Sequence, residues 1–177
     1  TVTAARKAAS IKLSTNSFVL SNGILDTKDV DIIVKDQYNN DYDEYAVYIE
    51  QTNAPKIGDT DTRDDVKETN DLEKISFASR NSATAGAYTY KVTVDDDNSD
   101  VIMSAYLTVT VKTPLSEVSY YAVETDSSNY DMKLTSGDDF EIPTVTVKVF
   151  GYDKNGVKNA VVTDLDTVVE FATEPAK

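Results

Sequence analysis

Asp95-Asp96-Asp97-Asn98-Ser99-Asp100 puts six oxygen-bearing side chains on one short stretch. Calcium takes about six to eight hard oxygens from carboxylates, amides and carbonyls. Asp95, Asp96, Asp97, Asn98 and Asp100 are therefore the candidate metal ligands, and Ca²⁺ is the candidate ion. The run is not an EF-hand: it has no Gly, and no Glu closes it. The same residues also suit a solvated acidic hairpin turn. Asp59, Asp61, Asp64 and Asp65 form a second acidic cluster, and Asp138, Asp139 and Glu141 a third, with Asp36 or Asp41 as helpers to the third. Hydration is the alternative reading for each. Paired carboxylates can hydrolyse glycosides, but a chain this acidic brings some pairs together by chance. There is no His and no Cys. That removes the commonest general base and metal ligand and the strongest side-chain nucleophile. Ser and Thr then lack a His partner. No catalytic residue is expected, and the chain reads as one that holds, spaces or binds.

Composition narrows the partners. Among 177 residues, 17 Lys and Arg face 31 Asp and Glu, for a net charge of −14. Nucleic acid needs a basic surface, and an anionic bilayer would repel this one. No apolar stretch reaches the roughly 20 residues that span a membrane. Thr1 is not a start methionine, so the expectation is a piece excised from something longer. Abundant Thr, Tyr, Val, Asp and Asn without Cys point to a bacterial exterior.

The elements that would position these residues are strands. Tyr88, Tyr90, Val92 and Val94 alternate with Thr89, Lys91 and Thr93. After the acidic run, Val101, Met103, Ala105, Leu107, Val109 and Val111 alternate with Ile102, Ser104, Tyr106, Thr108, Thr110 and Lys112. Period-two alternation this long is a β-hairpin with one face in a core. Further strands are expected from Ile11 and Leu13, at Phe18-Val19-Leu20, over Val30 to Lys35, Tyr45 to Gln51 and Lys74 to Ser79. Val30 to Lys35 alternates little and reads as covered on both faces. The opening Ala4 to Ala9 suits a short helical turn or a linker. Asn53 to Asp71 reads as a long exposed loop, with a helical turn possible over Asp64 to Asn70.

Thr113-Pro114 reads as a boundary, since Pro cannot donate to a ladder. The pattern restarts at Val118, Tyr120 and Ala122, continues at Val145, Val147 and Val149, and reaches the turn Asp153-Lys154-Asn155-Gly156. Val161-Val162 and Val168 to Phe171 complete it. Val34 to Asn40 aligns with Val149 to Asn155 at an offset of 115 residues, as a duplicated unit would. The expected organisation is all-β: a linker over 1–8, one Ig-like β-sandwich over 9–113, and a second Ig-like β unit over 114–177, which either ends inside the domain, holds a reduced sandwich or borrows a strand from a neighbour.

Val34-Lys35-Asp36-Gln37-Tyr38-Asn39-Asn40 resembles the valine–x–aspartate–glutamine–tyrosine–glycine–asparagine turn of bacterial Ig-like domains, with Asn39 where glycine is usual. Such domains occur in tandem in surface-layer proteins and in intimin- or invasin-like adhesins. The acidic, cysteine-free, Thr- and Val-rich composition fits surface-layer proteins best. The resemblance implies tandem immunoglobulin-like β-sandwich domains, a lattice-forming structural role at the cell surface or wall, and calcium dependence. It implies other copies of the same protein as partners, and a cell-wall polymer or glycan met through other domains. The alternative is an adhesin-type module that binds a glycan or host protein. Tyr38, Tyr42, Tyr45, Tyr48, Tyr120 and Tyr121 would supply its platform, although strand tyrosines more often pack across strands. An isopeptide bond from Lys35 or Lys91 would require a buried Lys beside Asp or Asn and an acid.

Overall fold

A computed structural model describes residues 4–53, 66–70, 73–79, 83–125 and 147–162. Regular structure among them is all β-strand. Among the described residues no helix is long and apolar enough to cross a membrane. The chain divides into two compact units, Thr1–Pro114 and Leu115–Lys177.

The first unit contains β1 (Ala8–Leu13), β2 (Ser17–Ser21), β3 (Asp26–Asp36), β4 (Tyr45–Gln51), β5 (Val66–Asn70), β6 (Lys74–Ser79), β7 (Gly86–Asp96) and β8 (Ile102–Lys112). They form two four-stranded sheets, ordered β1-β3-β6-β5 and β2-β8-β7-β4. The β7–β8 hairpin pairs from Gly86 opposite Val111 to Asp95 opposite Ile102. The short β2 lies parallel to β8. Alternation points Val30, Ile32 and Val34 of β3 and Ile75 and Phe77 of β6 inward. Tyr88, Tyr90, Val92 and Val94 of β7 and Leu107, Val109 and Val111 of β8 are buried in the same core. Each large apolar side chain buried this way stabilises by about 1.5–3 kcal/mol. Phe77 sits edge-on to Tyr90 at 5.0 Å and to Phe18 at 5.6 Å, so aromatic contacts link the two sheets.

One sheet of the immunoglobulin arrangement runs first–second–fifth–fourth, and the other joins the third, sixth and seventh strands. β1-β3-β6-β5 and β4-β7-β8 reproduce that order, with β2 as a first-strand segment that crosses to the second sheet. Tyr88, near the start of β7, donates its hydroxyl to the Thr84 carbonyl four residues upstream at 2.8 Å. That is the tyrosine corner of this fold. The first unit is an immunoglobulin-like β-sandwich.

Three local expectations change. Residues Val66 to Asn70 form strand β5 on β6, not a loop or helical turn. Residues 4–7 carry no helical turn, and Ala8 already belongs to β1. β3 is not covered on both faces, because Ile33 and Lys35 lie half-buried on its outer side.

The second unit contains β9 (Tyr120–Thr125), β10 (Val147–Tyr152) and β11 (Lys158–Val162), ordered β11-β10-β9 and antiparallel. Val149, Phe150 and Val157 are its buried apolar residues among those described. The strand expected over Val168 to Phe171 lies outside the described residues, as do the clusters Asp59 to Asp65 and Asp138 to Glu141.

Candidate functional site

Among the described residues four aspartates are buried: Asp26 opens β3 and accepts the Ser21 N–H at 2.9 Å, and period-two alternation carries three more into the interior where strands end. In β3 the inward row Val30, Ile32, Val34 ends at Asp36, which is 3% exposed. In β7 the inward row Tyr88, Tyr90, Val92, Val94 ends at Asp96, also 3% exposed. Asp153 follows Val149 and Gly151 by the same step and is fully buried. Each stands where a strand gives way to a turn. A buried carboxylate must find donors there.

Asp36 Oδ1 accepts the backbone N–H groups of Tyr38 at 2.9 Å and Asn40 at 2.8 Å. Its Oδ2 accepts Arg6 Nε at 2.7 Å. The turn is closed by Asp36 N–H to the Asn40 carbonyl and by Asn39 N–H to the Asp36 carbonyl. Asp153 repeats the scheme. Its Oδ1 accepts the N–H groups of Asn155 at 2.8 Å and Val157 at 2.9 Å, and its Oδ2 accepts the Leu115 N–H at 2.9 Å. Asp153 N–H goes to the Val157 carbonyl, and Gly156 N–H to the Asp153 carbonyl. Asn39 at φ 66° and Gly156 at φ 73° occupy the same left-handed position. Glycine enters that region freely and Asn is among the few other residues that tolerate it. This explains why Asn39 can stand where the resembling motif has glycine. Beyond each turn, the Lys35–Asp41 bridge matches the Tyr152–Lys158 pair. The two turns therefore correspond at an offset of 117 residues. This corrects the expected 115, which had placed Gly151, not Asp153, opposite Asp36.

Asp96 closes the β7–β8 turn with a different donor set. Its Oδ1 accepts Asn98 N–H at 2.8 Å and the Tyr42 hydroxyl at 2.9 Å. Its Oδ2 accepts Ala8 N–H and the Ser99 hydroxyl, each at 2.8 Å. Burial pushes the Asp96 carboxyl up, but these donors outweigh it and hold the pKa below the ordinary value. Asp36 behaves alike: burial raises it, and the Asn40 amide, Arg6 guanidinium and Tyr38 amide bring it below the ordinary value. Burial pushes the Tyr42 hydroxyl up.

The other expected ligands do not gather around Asp96. Asp97, Asn98 and Asp100 are exposed and Asp95 is half-buried. Asn98 Nδ2 donates to Glu44, and the Asp97 N–H goes to the Glu44 carbonyl at 3.2 Å. Among the described residues no group of three or more acidic side chains is placed to hold a metal ion. Asp41 is ion-paired with Lys35 at 2.6 Å, and Lys35 and Lys91 both lie on outward faces, away from the buried setting an isopeptide bond needs. The expected tyrosine cluster splits. Tyr42 and Tyr45 are buried, whereas Tyr38 and Tyr48 are exposed. Tyr120 stacks on Tyr152 at 5.1 Å, and Tyr121 is exposed.

Neither a protein-family model nor a curated protein matches the chain. Among solved structures it is similar to titin domain M7, with 14% identity and a TM-score of 0.35, covering 59% of this chain and 96% of that one. It is similar to a chimeric titin Z1Z2 functionalised with a decorin peptide, with 15% identity and a TM-score of 0.36, covering 62% and 99%. It is also similar to an endo-fucoidan hydrolase from glycoside hydrolase family 107, with 14% identity and a TM-score of 0.35, covering 59% of this chain and 14% of the hydrolase. The strand order and the Tyr88 corner, not these likenesses, make the first unit immunoglobulin-like.

Residue type alone had made Asp96 a candidate ligand, Asp36 a helper and Asp153 a turn residue. Parity along the strands places Asp36, Asp96 and Asp153 on the inner face, and that pattern was available in the sequence.

Proposed function

We propose that this chain is a structural segment of a bacterial cell-surface protein of the surface-layer kind, located outside the cell. Its immunoglobulin-like units space the protein and assemble with other copies of it. The observation that carries this reading is the turn repeated at 117 residues, with the same buried carboxylate, the same hydrogen bonds and the same left-handed residue. A repeated unit whose buried acids serve its own turns suits a spacer. The reading contains no catalytic step and needs no metal. Contact with a wall polymer or glycan would fall to other domains.

An adhesin-type reading draws on a different observation. Tyr48 and Tyr106 are 58% and 60% exposed on the outward face of the β4–β7–β8 sheet, in neighbouring cross-strand rows. Aromatic side chains presented this way suit a sugar or a partner protein.

Sedimentation velocity over a rising concentration series, with Ca²⁺, with Mg²⁺ and with chelator, separates the two. Growth into higher oligomers or sheets supports the spacer. A monomer at every concentration that binds a glycan saturably overturns it. Assembly only with Ca²⁺ would add the ion, bound by acids in another arrangement.

A further inference from the structure

Both oxygens of each buried turn aspartate are used, and they are used for different things. In Asp36 and Asp153, Oδ1 holds the turn. Oδ2 reaches outside the turn to the segment by which the chain enters that unit: Arg6 ahead of β1 in the first, Leu115 ahead of β9 in the second. In the first unit Asp96 adds a bond to the Ala8 N–H from the other sheet's hairpin.

Besides the ladder of β1 on β3 from Ala8 to Leu13, the Arg6 contacts to the Asp41 carbonyl and the Tyr42 ring, and the Ser119 N–H to the Tyr152 carbonyl, little apolar burial holds these entering segments. β1 buries Ala8 and Leu13, leaves Ile11 half-buried, and slips register against β3 between Ala8 and Ser10. Ahead of it, Gln37 accepts the Lys7 N–H at 2.8 Å and donates to the Ala5 carbonyl at 2.7 Å, and the Tyr38 hydroxyl donates to the Ala4 carbonyl at 3.3 Å. Every one of these contacts is polar and made to a turn. Leu115 is 43% exposed, so burial does not pin it; its N–H goes to Asp153 and its carbonyl accepts Asn159 Nδ2. The large apolar rows lie elsewhere, on β3, β6, β7 and β8.

We propose that the buried aspartate opening this turn in each unit is a latch for the segment entering that unit, and that the segment opens as a separate piece when the latch is removed. The inference stands apart from the surface-layer reading, because it concerns each unit by itself.

The chemistry supplies a selective test. A carboxylate only accepts, whereas an amide accepts at one atom and donates at the other. In Asp36→Asn or Asp153→Asn, the amide oxygen can keep the turn N–H groups, and its NH₂ then faces a second donor, Arg6 Nε or the Leu115 N–H. Hydrogen exchange read peptide by peptide reports such local opening separately from global unfolding. In Asp153→Asn, amides over 115–119 are expected to exchange about tenfold faster or more, the scale of a lost charge-assisted bond, with β10 unchanged. In Asp36→Asn, residues 4–13 should speed up similarly, with β7 and β8 unchanged. Arg6→Ala removes the outside donor to Asp36 and leaves that carboxylate and its turn intact, so it gives the same reading if Asp36→Asn fails to fold. The proposal is overturned if the entering segments exchange as in the parent, or if they speed up only in step with β7 and β8 or β10.

Discussion

Replacing Asp96 by Asn changes one atom of a side chain that four donors surround. The amide can keep Asn98 N–H and the Tyr42 hydroxyl on its oxygen. Ser99 can rotate its hydroxyl to accept. The Ala8 N–H cannot: it is a buried backbone donor, 2.8 Å from the position that becomes NH₂. An unsatisfied buried donor costs about 1–3 kcal/mol, and removing a buried charge returns part of its desolvation. The net expectation is a loss of about 2 kcal/mol. With a urea m-value of about 1.5 kcal/mol/M for a domain of this size, the unfolding midpoint should fall by roughly 1.3 M at an unchanged m. Chemical denaturation followed by tyrosine fluorescence measures it, with exposed Asp97→Asn as a control expected to stay at the parent midpoint. A midpoint shift under about 0.3 M, or equal shifts in both variants, would refute the assignment of Asp96 as an internal clamp.

Other expectations are smaller in scope. In Gly23→Ala, an added Cβ would lie 2.5 Å from Pro114 Cγ in an ordinary backbone setting; overpacking of this kind costs about 1–3 kcal/mol, read as a lower thermal midpoint. Gly156→Ala forces a side chain into φ 73° and should cost about 1–2 kcal/mol, whereas Asn39→Gly at the equivalent position should change stability by well under that. The Asp36 and Asp96 carboxyls sit below the ordinary value of 3.8 in the folded state. Their contribution is therefore complete above that value and lost as pH falls through the depressed ones. Urea midpoints measured from pH 6 down to pH 2 should drop in that acid window, and less steeply in Asp96→Asn. A midpoint that rises on acidification would contradict the sign.

Much of the fold was legible because the long strands alternate without interruption. β7 and β8 follow directly from Tyr88 to Val94 and Met103 to Val111. β5 was not legible: Val66-Lys67-Glu68-Thr69-Asn70 has a single apolar residue, and it is a strand because it pairs at the edge of β6. β3 was read as covered on both faces because Ile32, Ile33 and Val34 run together, yet Ile33 lies opposite Lys12 on the outer side. The acidic residues carry their signal in a different way. Their type suggests solvent or metal, and only their phase on the strand shows that Asp36, Asp96 and Asp153 turn inward while Asp97 and Asp100 do not. The repeat offset slipped by two residues because the alignment followed valines. The physical anchor was the aspartate and the left-handed residue three positions later.

Carboxyl-carbon NMR of the full chain, with and without a few millimolar Ca²⁺, tests most directly whether the turn acids serve the fold. The signals of Asp36, Asp96 and Asp153 are expected not to move with calcium, and those of Asp36 and Asp96 to titrate below the ordinary aspartate value. A saturable calcium shift of the Asp96 carboxyl carbon, with Asp95, Asp97 and Asp100 moving alongside, would contradict the account and return that turn to a metal site.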